Sequence, residues 1–144
     1  MNRLINKLIN HLSKKQKTLF LIDSLGAILT AFFLFVMMRQ FNEYFGMPKT
    51  ILTLLSVIAG VFCVFSTACF LFLKGNWTPF IRLIGFANLL YCMLTIGLLI
   101  KHYSLLTIIG TAYFLIEILI ICGLSYVEFN VATKIKKSSW QLND

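Results

Sequence analysis

The sequence predicts an all-α fold: a four-transmembrane-helix antiparallel bundle with an N-terminal amphipathic interfacial helix. Three observations predict it. The 144 residues are 59% apolar and 12% charged, about half the charge of an ordinary soluble domain. Four continuous apolar runs each reach the length of about 20 residues that a helix needs to cross a hydrocarbon core. The cations gather at the ends of those runs.

Mean hydropathy is +0.87. A soluble domain of this size has too little interior to hide so much apolar side chain. Disorder, a disulfide scaffold and a nucleic-acid module are excluded on the same composition. The formal charge of +8 invites a polyanionic partner, but no basic stripe accompanies a reading helix, so no nucleic-acid partner is expected.

Residues 1–17 form a cytoplasmic, basic, amphipathic segment. Leu4, Ile5, Leu8, Ile9 and Leu12 recur at helical spacing, with Arg3, Asn6, Lys7, Asn10 and His11 on the other face. Such a helix suits the inner leaflet surface. A plain cytoplasmic extension of the first span is the alternative. Arg3, Lys7, Lys14, Lys15 and Lys17 are candidate contacts for anionic lipid head groups.

The transmembrane domain covers residues 18–127, with spans at about 18–38, 50–73, 80–100 and 105–127. The runs lack the alternation of a membrane strand, and helices satisfy their own backbone in lipid. The first run is too long for a signal-peptide core and no small-residue cleavage site follows it, so it reads as a retained anchor. Gly46-Met47-Pro48 precedes the second span and Thr78-Pro79 the third, where proline suits a first helical turn. Gly75 falls where a left-handed C-terminal cap is expected, and Ser104 is placed to cap the fourth span. Short connections predict sequential helices packed as antiparallel neighbours. Residues 128–144 form a basic cytoplasmic tail.

With the N-terminus inside, ten cations lie on the inner side and three, Arg39, Lys49 and Lys101, on the outer side. That bias predicts a multi-pass protein with both termini in the cytoplasm. Tyr44, Phe45, Trp77, Tyr103 and Tyr126 fall near span ends, where interfacial aromatics belong.

Two acids lie inside spans, Asp23 and Glu117. Each costs about 2.5–3.5 kcal/mol near a helix centre on insertion scales, so each should face the bundle interior. Counting about 1.5 Å per residue from the inner end puts Asp23 roughly 7–8 Å deep and Glu117 roughly 15 Å deep. Thr67, Asn88 and Tyr91 fall at roughly 9, 12 and 16 Å. Every span thus places a polar group in the cytoplasmic half.

The polar and small residues share faces. Asp23, Gly26, Ala27 and Thr30 follow helical spacing on the first helix. Ser56, Gly60, Cys63 and Thr67 do so on the second, Asn88, Tyr91, Cys92 and Thr95 on the third, and Gly110, Tyr113 and Glu117 on the fourth. Asp23, Thr67, Asn88, Tyr91, Tyr113 and Glu117 are the candidate ligand-binding residues. The alternative is that they are interhelical glue. Arg82 reads as a snorkelling interfacial cation, and Glu128 as an interfacial, solvated acid.

No catalytic constellation, zinc signature or phosphate loop is present, and no cofactor or metal is expected. The four cysteines form no C-x-x-C pair and read as small hydrophobes.

The segment Leu19-Phe20-Leu21-Ile22-Asp23-Ser24-Leu25-Gly26-Ala27 resembles a group of small uncharacterised bacterial four-helix integral membrane proteins. The resemblance continues at Phe45-Gly46-Met47-Pro48, at Ala87-Asn88-Leu89-Leu90-Tyr91-Cys92 and at Glu117. It implies an inner-membrane four-helix protein and carries no activity. Small multidrug transporters are similar in size, span count and an acid in the first helix, without their further motif residues. DoxX-like proteins are similar in size and span count alone.

Three functions stay open: an intramembrane polar site that binds a lipid or amphiphile, a small proton-coupled transporter using Asp23 or Glu117, and a membrane enzyme acting on a lipid, quinone or isoprenoid. The expected partners are the bilayer, anionic lipids of the cytoplasmic leaflet and further copies of the chain.

Overall fold

The computed structural model describes residues 1–40 and 42–140. Within them lie α1 (Asn2–Lys14), α2 (Gln16–Gln40), α3 (Asn42–Phe45, a single turn), α4 (Lys49–Phe72), α5 (Thr78–Lys101) and α6 (Ile108–Trp140). The side chains of Arg39 and Phe45, and all of residues 141–144 of the basic tail, lie outside the described set.

Four helices, α2, α4, α5 and α6, are long and apolar enough to cross a membrane. Their outward faces agree with that reading. Leu25, Leu29, Phe32, Val57, Val61, Val64, Met93, Leu119 and Ile120 are all exposed. A soluble monomer does not show water an apolar surface of that extent, whereas acyl chains accept it without cost.

The helix ends have local causes. Gly46 takes a φ of +71°, and a Cβ there would collide with the backbone carbonyl of Leu105. Only glycine fits this close approach. Pro48, at φ −56°, then leads into α4, and Pro79 sits in the first turn of α5, where its missing N–H costs nothing. Gly75 also has a positive φ, +116°, but the residue capping α4 is Leu73, in an extended conformation. Gly75 therefore turns the connection rather than capping the helix.

The start of α6 differs from the expected cap at Ser104. Residues 102–105 make turns, and the hydroxyl of Thr107 accepts the amide N–H of Gly110 at 3.1 Å. The same hydroxyl donates to the carbonyl of Tyr44, tying α6 to the turn after α2. Thr107 does both because it lies three residues before a free amide and faces the α2–α4 connection.

At 33 residues, α6 is about 50 Å long, well beyond the about 30 Å of a hydrocarbon core. α1 packs along its far end: Ile9 and Leu12 are buried in one cluster with Leu19, Phe20, Ile81, Ile84, Val131 and Ala132. Lys15, at φ −119° and ψ 67°, breaks the chain between α1 and α2. Toward the opposite end a second cluster holds Leu34, Met47, Leu52, Leu55, Tyr91, Cys92, Leu99, Phe114 and Ile118.

The four long helices associate chiefly as two pairs, α2 with α4 and α5 with α6. Between the pairs the backbones approach far less, and α2 barely touches α6. Gly85 is what lets α5 and α6 close at one end. A Cβ there would lie 3.3 Å from Oε2 of Glu128 and 3.3 Å from the ring of Phe129.

Candidate functional site

Asp23, Ser66, Asn88 and Glu128 fall between the two apolar clusters, whereas Glu117 lies within the second, between Phe114 and Ile118. Asp23, Ser66, Asn88, Glu117 and Glu128 are all buried. A buried acid in a low-dielectric interior must be hydrogen-bonded or it is very costly, and the network shows how that is met.

Asp23 has both oxygens occupied. Ser66 donates its hydroxyl to Oδ2, and Asn88 donates Nδ2–H to Oδ1 at 2.9 Å. The second hydrogen of the same amide goes to Oε2 of Glu128 at 3.3 Å. Asn88 is thus a bridge from α5 to acids on α2 and α6, with both amide hydrogens spent. Glu128 is 1% exposed, which corrects the expectation of a solvated interfacial acid. The reason is that α6 continues for twelve residues past that position and Gly85 admits the side chain against α5.

Glu117 sits apart from this triad. Tyr91 donates its hydroxyl to Oε1 at 3.0 Å. Oε2 is buried and has no hydrogen-bond partner among the described residues. The partners of the three acids, Ser66, Asn88 and Tyr91, are all neutral.

Where the two helix pairs fail to meet, the structure leaves a cavity of about 290 Å³, close to the lower end of small-molecule sites. Its polar wall carries Asp23, Asn88, Tyr91, Tyr113 and Glu117; its apolar wall carries Leu29, Phe33, Phe62, Ile116, Ile120 and Leu124. Leu29, Phe33, Ile116 and Ile120 are exposed, so the mouth between α2 and α6 opens on the apolar outer surface of the bundle. Gly26 lines the same space, and a Cβ there would meet nothing within 4 Å. The aromatic wall is ordered by ring contacts, Phe62 with Tyr91 at 6.2 Å and Phe33 with Tyr113 at 6.5 Å.

Five of the six candidates read from the sequence, Asp23, Asn88, Tyr91, Tyr113 and Glu117, therefore line one cavity. Thr67 does not. Its hydroxyl is 2.7 Å from that of Ser24, and the pair links α2 to α4 beside the cavity. Thr95 also turns to its own backbone, donating to the carbonyl of Tyr91 at 2.9 Å. Sequence reasoning missed Ser66 and Glu128. Ser66 lies next to Thr67 and, like it, within a turn of Cys63, so the spacing of small residues alone does not choose between the two. Glu128 lies just past the apolar run, which ends at Val127, but inside the helix, which does not end there.

Among the described residues no group of three His, Cys, Asp or Glu side chains could hold a metal ion. Cys92 and Cys122 are free thiols with their sulfurs 3.5 Å apart. No family model, curated protein or solved structure matches the chain.

Proposed function

We propose that this membrane protein binds an amphiphile from the bilayer in the cavity between α2 and α6, with the polar head at Glu117 and the tail in the lateral mouth. The observation that carries the reading is the unpartnered Oε2 of a buried Glu117 on the polar wall of a laterally open space whose other wall is apolar. A polar group left unpaired in such a place costs roughly 1–3 kcal/mol, and a ligand donor removes that cost. Asp23, with both oxygens occupied, is the structural acid of the pair.

The excess of cations at the ends of the first and last helices supports termini in the cytoplasm and antiparallel packing of successive helices. The resemblance to small bacterial membrane proteins supports an inner-membrane location. Lys14, Lys15, Lys17 and Trp77 border a groove of about 400 Å³ at the α1–α2 break. That grouping supports contact with anionic lipid heads, with α1 lying at the same interface.

The test is native mass spectrometry of protein released from nanodiscs. Wild type should retain one amphiphile per chain, and Gly26→Phe, which fills open space in the cavity, should lose it. Equal retention by both would overturn the reading.

A further inference from the structure

The polar wall has a one-sided chemistry. Ser66, both hydrogens of the Asn88 amide and the hydroxyl of Tyr91 are already donated to Asp23, Glu128 and Glu117. Among the carboxyl oxygens of the described residues on this wall, the one left without a partner is an acceptor, Oε2 of Glu117. Two buried carboxyl groups, Asp23 and Glu117, line the site, a third, Glu128, is bonded to the Asn88 amide, and among the described residues no Lys or Arg lines the cavity.

A ligand head that fits must therefore donate, and it must not add negative charge. A carboxylate or phosphate head would be buried beside carboxyl groups with no counter-charge, which is costly in a low-dielectric interior. A hydroxyl satisfies the acceptor but supplies no counter-charge. A protonated amine does both, and charge-assisted N–H to carboxyl bonds are roughly twice as strong as neutral ones. The rings of Tyr91, Tyr113 and Phe62 on the same wall add a favourable surface for a cation.

We propose that the cavity selects alkylamines. An ammonium head donates an N–H to Oε2 of Glu117, and its hydrocarbon tail leaves between α2 and α6. This rests on the amphiphile reading above, and it excludes heads that are cationic but carry no N–H. A trimethylammonium head keeps the charge and the ring contact yet cannot fill the open acceptor.

Four probes with one tail separate these terms: dodecylamine, dodecyltrimethylammonium, dodecanol and dodecanoate. Each is titrated into nanodiscs holding the full chain, and bound probe is counted by native mass spectrometry. Dodecylamine should bind at least tenfold more tightly than the trimethyl and carboxylate probes. Glu117→Gln should weaken dodecylamine at least tenfold while holding dodecanol within threefold, since the amide keeps an acceptor oxygen. The ranking on wild type needs no variant, so a poorly folding Glu117→Gln does not remove the test. Trimethylammonium or dodecanol binding as tightly as dodecylamine would overturn the amine inference and leave the amphiphile reading standing. Absence of binding by all four would overturn both.

Discussion

Tyr91 donates its hydroxyl to one oxygen of Glu117 across 3.0 Å and leaves the other oxygen bare. The bond fixes the carboxyl group between α5 and α6, so the bare oxygen is held on the cavity wall. Tyr91→Phe removes one buried bond and should cost about 0.5–2 kcal/mol, the range for side-chain bonds within membrane bundles. A denaturation titration in mixed micelles reads it. A variant as stable as wild type would show that this bond does not hold the site.

Asn88 carries a heavier structural share, because its one amide serves both Asp23 and Glu128. Asn88→Ala strips a donor from two buried acids at once. The loss should exceed that of Tyr91→Phe, at about 2–5 kcal/mol for two carboxyl groups each left short of a partner. Asp23→Ala and Asn88→Ala should also be non-additive, with a coupling of about 0.5–3 kcal/mol. A double-mutant cycle that adds within error would separate the two residues.

Two glycines give opposite forecasts. Gly85→Ala forces Glu128 and Phe129 to move, and overpacking of this kind costs about 1–3 kcal/mol. Gly26→Ala meets open space and gains helix propensity worth up to about 1 kcal/mol. Thermal melts in one detergent compare them directly. Gly85→Ala melting as high as Gly26→Ala would contradict the close α5–α6 contact at Gly85.

The thiols test that same interface. Cys92 and Cys122 have sulfurs 3.5 Å apart, on α5 and α6. Mild oxidation with a membrane-permeant catalyst should join them within one chain. After cleavage of the α5–α6 connection, an engineered cut site there should yield fragments that separate only on reduction. Fragments that part without reductant would place the helices differently.

Much of this architecture was legible because bilayer physics is coarse. A continuous run such as Phe80–Ile100 has one stable form in hydrocarbon, and Pro48 and Pro79 mark where helices begin. The inward faces of α2 and α5 were legible too, since Asp23 and Asn88 must avoid lipid. What stayed hidden depends on where a helix stops being apolar without stopping being a helix. Val127 ends the hydrophobic run, yet α6 carries Glu128 inward and continues to Trp140. Ser66 and Thr67 show a second limit. Adjacent positions point 100° apart on a helix, and only the partner helices decide that Ser66 meets Asp23 while Thr67 meets Ser24. The cavity was illegible for a related reason, because a gap between α2 and α6 is a property of packing and of no single residue.

The most direct measurement of the central claim is photolabelling with an alkylamine carrying a diazirine in its tail, in nanodiscs, followed by peptide mapping. Adducts should concentrate on Leu29, Phe33, Ile116 and Ile120, the residues at the lateral mouth, and should fall to background in Gly26→Phe. Labelling spread evenly over lipid-facing residues such as Val57, Val61 and Met93, and unchanged in that variant, would contradict a bound amphiphile between α2 and α6.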